Sequence, residues 1–150
     1  FGVTSAEPLR MAAEALVVEM GGEPIWIPET ARTLYHAALA HSANHLITLV
    51  ASAIEMLEVA GVENGARLLT PLLQASLDNA LRMGYPALTG PVVRGDAGTV
   101  AAHIEVLAQD PQVQAAYIAL ARLTADRALA EGLLKPQAAE GLLHVLGRPA

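Results

Sequence analysis

The chain contains no cysteine, which excludes disulfides and thiolate chemistry and is compatible with a cytoplasmic location. It has no basic run, and its net charge is -6. Phosphate binding needs clustered Lys and Arg, so nucleic acid is not an expected partner. Aromatics are only 3% and charged residues 16%, against 53% hydrophobic residues. The dominance of alanine and leucine suits close helix packing rather than sheets. So much apolar surface needs covering, part of it by a second subunit or by a domain outside this sequence. No secretory signal pattern, internal repeat, low-complexity tract or flexible linker is present. The chain begins at Phe1 rather than Met, which leads us to expect a longer parent protein. At 150 residues it can bury a core of its own.

What is present is organised around Glu29 to Ala60, between Pro28 and Gly61. The spacing predicts one long helix of about 30 residues, roughly 45 Å at 1.5 Å per residue. From Thr33 to Ile54 it carries no Asp, Glu, Lys or Arg, so we expect it to be buried at the centre of the protein. Its polar residues argue against lipid, since a membrane span wants roughly 20 consecutive, mostly apolar positions. On a helical projection, His36, Asn44, Thr48 and His41 share an arc of roughly 140°. Leu39, Leu46, Leu49, Val50, Ala53 and Leu57 lie mostly opposite. This polar seam is where function is sought.

The other elements follow in order. Phe1 to Thr4 reads as a strand end, and Thr4 or Ser5 as the cap of a helix over residues 6–20 that stops at Gly21-Gly22. EPIWIP then reads as a short strand. Such a strand–helix–strand unit looks like the last piece of a larger α/β sheet. A third helix is expected from about Asn64 to Met83, with Pro71 kinking or breaking it. Residues 87–98 form a Gly/Pro-punctuated loop without periodicity. A fourth helix starts at Asp96 or Thr99, a fifth at the Asp110-Pro111 capping pair, and a last one runs from Lys135-Pro136 to Gly147. The expected fold class is mainly α: a multi-helix bundle around one long central helix, behind a β-α-β lead-in.

LYHAALAHSANHL, EMGGEPIWIP and LTGPVVRGDAGTV, in that order, resemble one family over about residues 1–130. It comprises the Rossmann-like oxidoreductase-type proteins with the C-terminal helical "domain of unknown function 2520". These look like relatives of ketopantoate reductase, pyrroline-5-carboxylate reductase and the 6-phosphogluconate dehydrogenase group. The resemblance implies that residues 1–28 are the terminal β-α-β piece of a nucleotide-binding domain. Residues 29–150 would be the helical domain that dimerises and lines the substrate cleft. It also implies NAD(P) in the full-length parent. No GxGxxG occurs here, and Gly21-Gly22 opens no phosphate-binding helix. The chain alone is therefore expected to bind no nicotinamide and to be inactive.

By the same resemblance, His36 would occupy the place of a lysine in ketopantoate reductase-like enzymes, Ala40 that of a first asparagine and Asn44 that of a second. Only Asn44 keeps its type. His36 and Asn44 are the catalytic candidates: imidazolium could protonate a carbonyl oxygen as hydride reaches its carbon, and the amide could orient substrate. The structural alternative is that His36 belongs to a hydrogen-bond network near the helix start. Substrate-contact candidates are Tyr35, His41, Thr89, Arg94 and Asp96. The Arg94 fork suits a carboxylate, unless Arg94 only pairs with Asp96 while Asp96 caps a helix. His41 and His45 have chelating i, i+4 spacing but no acidic or thiol companion, so no metal is expected. The leading reading is half of a reductase for a small carboxylate-bearing carbonyl or imine, acting as a homodimer. A non-catalytic dimerisation module and a helical small-molecule sensor are the alternatives.

Overall fold

The structure is a computed structural model and describes residues 1–147. Among these, seven α-helices and two strands form, and the chain is mainly α as expected. It divides into two compact units, Phe1–Met56 and the remainder from Leu57 onward.

In the first unit, β1 (Gly2–Val3) pairs in parallel with β2 (Ile25–Trp26), in the register Gly2 to Ile25 and Val3 to Trp26. A 3-10 turn at Glu7–Leu9 and α1 (Arg10–Glu19) connect them. The expected cap of that helix does not form. Ala6 takes the N-cap position of the 3-10 turn and Leu9 that of α1, neither with a side-chain bond. Thr4 instead donates its hydroxyl to the Ile27 carbonyl, 2.7 Å away, tying the ends of the two strands together. The Ser5 hydroxyl is enclosed without a partner. A cross-strand bond has outcompeted the local cap.

After a 3-10 turn at Glu29–Ala31, α2 runs over Arg32–Val59, 28 residues without a break. Tyr35 anchors its start. A Cβ on Gly2 would lie 2.6 Å from the Tyr35 hydroxyl, so only glycine lets the ring approach β1 this closely. The expectation that α2 is sunk in a core is corrected. None of its residues is buried, and Leu34 and Ile47 are 74% and 69% exposed. Lack of charge suits burial, but burial requires a covering body, and the described residues leave every position of α2 at least partly exposed. By length and mean hydropathy the Glu29–Val59 stretch is also long and apolar enough to cross a bilayer.

The second unit holds the main core. α3 (Gly65–Met83) passes through Pro71 without ending, so the proline costs one hydrogen bond and not the helix. A 3-10 turn at Tyr85–Ala87 leads into the expected irregular loop, which contains a one-turn helix, α4 (Pro91–Arg94). α5 (Ala97–Val106), α6 (Pro111–Ala130) and α7 (Pro136–Gly147) follow. Ala121, Ala125 and Ala128 give α6 a small-residue stripe that packs with Val92, Val100, Leu134, Leu142 and Leu146. Each fully buried aliphatic side chain contributes about 1.5–3 kcal/mol. Two polar ties cross this core. Buried Gln114 donates to the Ile104 carbonyl at 2.7 Å. The Arg122 guanidinium donates to the Leu146 carbonyl, through Nε at 2.9 Å and again through Nη2, satisfying a C-terminal acceptor that α7 leaves open. Gly95 has φ +69° and lies against Ala138, whose Cβ would be 2.6 Å from any Cβ placed there. A left-handed turn and a close approach both require glycine at that point.

Candidate functional site

Two parallel strands set the location of the clefts in the first unit. Their carboxyl ends, Thr4 and Ile27, open into two adjoining grooves. One, of about 600 Å³, reaches across Gly2, Thr4 and Glu29 to Arg32, Tyr35 and His36 at the start of α2. The other, of about 630 Å³, extends past Ser5 and Arg10 to Trp26. Crevices outside the carboxyl ends of strands are where open α/β sheets bind ligands.

The first groove is rich in donors. Arg32 lies four residues before His36, and this spacing places both on one face of α2. Arg32 also pairs with Glu29 at 3.5 Å, with both side chains largely exposed, so the guanidinium is held loosely. In the second groove, Arg10 stacks over the Trp26 ring at 4.3 Å from its centroid, a cation–π contact that fixes both planes. The edge can hydrogen-bond an anionic or carbonyl-bearing small molecule and place an imidazole beside it.

Tyr35 and His36 thus share one groove. Asn44 lies two turns further along α2, about 12 Å by helical rise, and is exposed like His36. His41 is exposed and pairs with His45, Nδ1 to Nδ1, at 3.0 Å. Thr89, Arg94 and Asp96 belong to the second unit, and all three are exposed. Asp96 caps α5, accepting from the Thr99 backbone N–H at 3.0 Å and from its hydroxyl at 2.7 Å. The Thr99 backbone bond and then its hydroxyl hold the Asp96 carboxyl below its ordinary range, with smaller help from Arg94 and His103.

Sequence reasoning missed Arg32 and Thr4, and also a second polar pair. His103 Nδ1 lies 2.8 Å from the Tyr117 hydroxyl, half-buried between α5 and α6. Burial pushes the Tyr117 hydroxyl above its ordinary value. Arg32 carried a signal in its i, i+4 spacing to His36. The His103–Tyr117 pair carried none, because its spacing of 14 matches no local periodicity. Among the described residues, no group of three or more His, Cys, Asp or Glu converges as a metal site.

Residues 1–124 match the domain of unknown function DUF2520. The chain belongs to this family. A DUF2520 domain therefore occupies most of the chain, from β1 well into α6. No curated protein matches it. Among solved structures it is similar to a Bacteroides fragilis protein described as a "putative NADP oxidoreductase", with a TM-score of 0.73 and 22% identity. The likeness covers 84% of this chain and 49% of that one, so the chain spans about half of that protein's length. At this identity the likeness shows a shared fold.

Proposed function

We propose that this DUF2520 chain is the C-terminal half of an NAD(P)-dependent oxidoreductase, and that it lines the substrate pocket and dimerises. The observation that supports the reading is the groove at the carboxyl ends of β1 and β2, with Arg32, Tyr35 and His36 along its rim. In this reading residues 1–28 complete the sheet of a nucleotide domain, and 29–150 form the helical domain. The residues present fit the substrate-facing edge of such a site and not its pyrophosphate cradle, because no GxGxxG is among them. A bound nicotinamide would supply the hydride. This chain supplies the rest: the His36 imidazolium gives a proton to the carbonyl oxygen or imine nitrogen as negative charge builds there. Arg32 holds the substrate carboxylate through its fork, and Tyr35 walls the groove. Asn44 on α2 is a further candidate contact for a small ketopantoate-like substrate.

The test uses the natural full-length protein and follows NADPH oxidation with a panel of 2-oxo acids and cyclic imines. His36→Ala is expected to lower kcat by about 10²–10⁴-fold with little change in KM. Arg32→Lys is expected to raise KM selectively for carboxylate substrates. Unchanged kcat in His36→Ala removes that residue from the chemistry. Absence of turnover in both forms, with assembly intact, favours the second reading, a non-catalytic dimerisation module. The exposed leucines of α2 and α3, such as Leu46 and Leu72, support that alternative.

A further inference from the structure

We propose that His41 and His45 form a surface chelate for a late first-row divalent ion, of the Cu²⁺, Ni²⁺ or Zn²⁺ class, supplied by a single turn of α2. The inference is independent of the oxidoreductase reading. The i, i+4 spacing stacks the two imidazoles on one helix face, with rings perpendicular and centroids 5.1 Å apart. Their Nδ1 atoms meet at 3.0 Å. An ion bound at about 2.0–2.1 Å from each nitrogen needs them roughly 2.9 Å apart in a square-planar cis pair and roughly 3.4 Å apart in a tetrahedron. The observed separation falls inside that bite, and turning the two rings about their side-chain torsions would bring both Nδ1 lone pairs onto one ion.

The same geometry explains what holds the pair together without metal. One neutral ring donates its Nδ1–H to the bare Nδ1 of the other. When the ion enters, the donor ring carries its proton on Nε2 instead, and both Nδ1 lone pairs face the metal. Both histidines are exposed, which leaves an open path and room for water at the remaining coordination positions. From Thr33 to Ile54 there is no Lys or Arg to repel a cation and no carboxylate to add a hard oxygen ligand. Two neutral imidazoles without carboxylates select ions late in the series and discriminate against Mg²⁺ and Ca²⁺, which demand oxygen ligands. Binding would clamp one turn near the middle of a helix that has no buried residue of its own.

The test is titration of the natural full-length protein, stripped with a chelator, with CuCl₂ under calorimetry and electron paramagnetic resonance. One Cu²⁺ per chain is expected to show coupling to two imidazole nitrogens and to be absent from the His41→Ala/His45→Ala double variant. Either single alanine variant is expected to weaken it by more than about tenfold, since even outer-shell losses cost 10–100-fold. His36→Ala, on a different sector of α2, is expected to leave the affinity unchanged. Circular dichroism of each variant checks that the helix is intact, and His41→Gln/His45→Gln repeats the loss with side chains of closer size. The proposal is overturned if the double variants bind as tightly as the wild type, if the bound ion couples to fewer than two imidazoles, or if no Cu²⁺ binds.

Discussion

At the scale of single residues, short-range polar chemistry could be read from the sequence and long-range chemistry could not. Asp110 caps α6 as its pairing with Pro111 predicts, accepting from the Gln112 and Val113 N–H groups. Donor and acceptor there lie within three positions, so the chain folds onto itself whatever else happens. Thr4 has equal capping chemistry, yet it bonds the Ile27 carbonyl 23 residues away, because strand pairing brings that acceptor closer. Asp96 offers a test at this scale. Its folded-state carboxyl titrates below the ordinary 3.8, chiefly through the Thr99 backbone N–H and then the Thr99 hydroxyl. A carboxyl depressed on folding stabilises the protein above its unfolded value, and that contribution is lost as pH falls through the lower folded value. Urea unfolding at pH 7 is therefore expected to show Asp96→Ala less stable than wild type, with the gap narrowing from about pH 4 downward. A gap that stays constant to pH 2 would show that the carboxylate charge contributes nothing to the cap.

At the scale of elements, helix existence was legible and burial was not. Periodic apolar residues, caps and Gly or Pro stops place α3, α5, α6 and α7 close to where they form. The short α4 escaped, since four residues cannot show a helical period. The long uncharged α2 was legible as a helix, but its surroundings depend on bodies that one chain does not contain. In the second unit the opposite holds: α7 is defined by what it packs against. Leu142 and Leu146, one turn apart, are both fully buried, and Arg122 closes the end of the helix. Leu142→Ala leaves a cavity between α6 and α7 that rigid neighbours fill poorly. It is expected to cost about 2–5 kcal/mol, read as a lower urea midpoint with an unchanged slope. Leu143→Ala, next in sequence but 40% exposed, is expected to shift the midpoint far less.

At the scale of the whole molecule, surface area makes the argument that composition began. Each unit leaves apolar surface uncovered among the described residues. Much of it is aliphatic: Leu39 and Leu46 on α2 are 47% and 42% exposed, and Leu68, Leu72 and Leu81 on α3 are 57%, 61% and 79% exposed. Burial at about 25 cal/mol per Å² makes self-association a sufficient sink for such a surface. A bilayer is the competing sink for α2, by its length and hydropathy, but its histidines and Asn44 would then enter lipid at a cost of several kcal/mol for each unsatisfied polar group. The full-length protein is therefore expected to stay in the supernatant after high-speed centrifugation and to sediment as a dimer. Glutamate at both Leu39 and Leu46, seven residues apart on the stripe opposite His41 and His45, is expected to convert that dimer to monomer while helicity is retained. A wild-type monomer at high concentration would rule out self-association as that sink, and recovery in the membrane pellet would assign α2 to lipid.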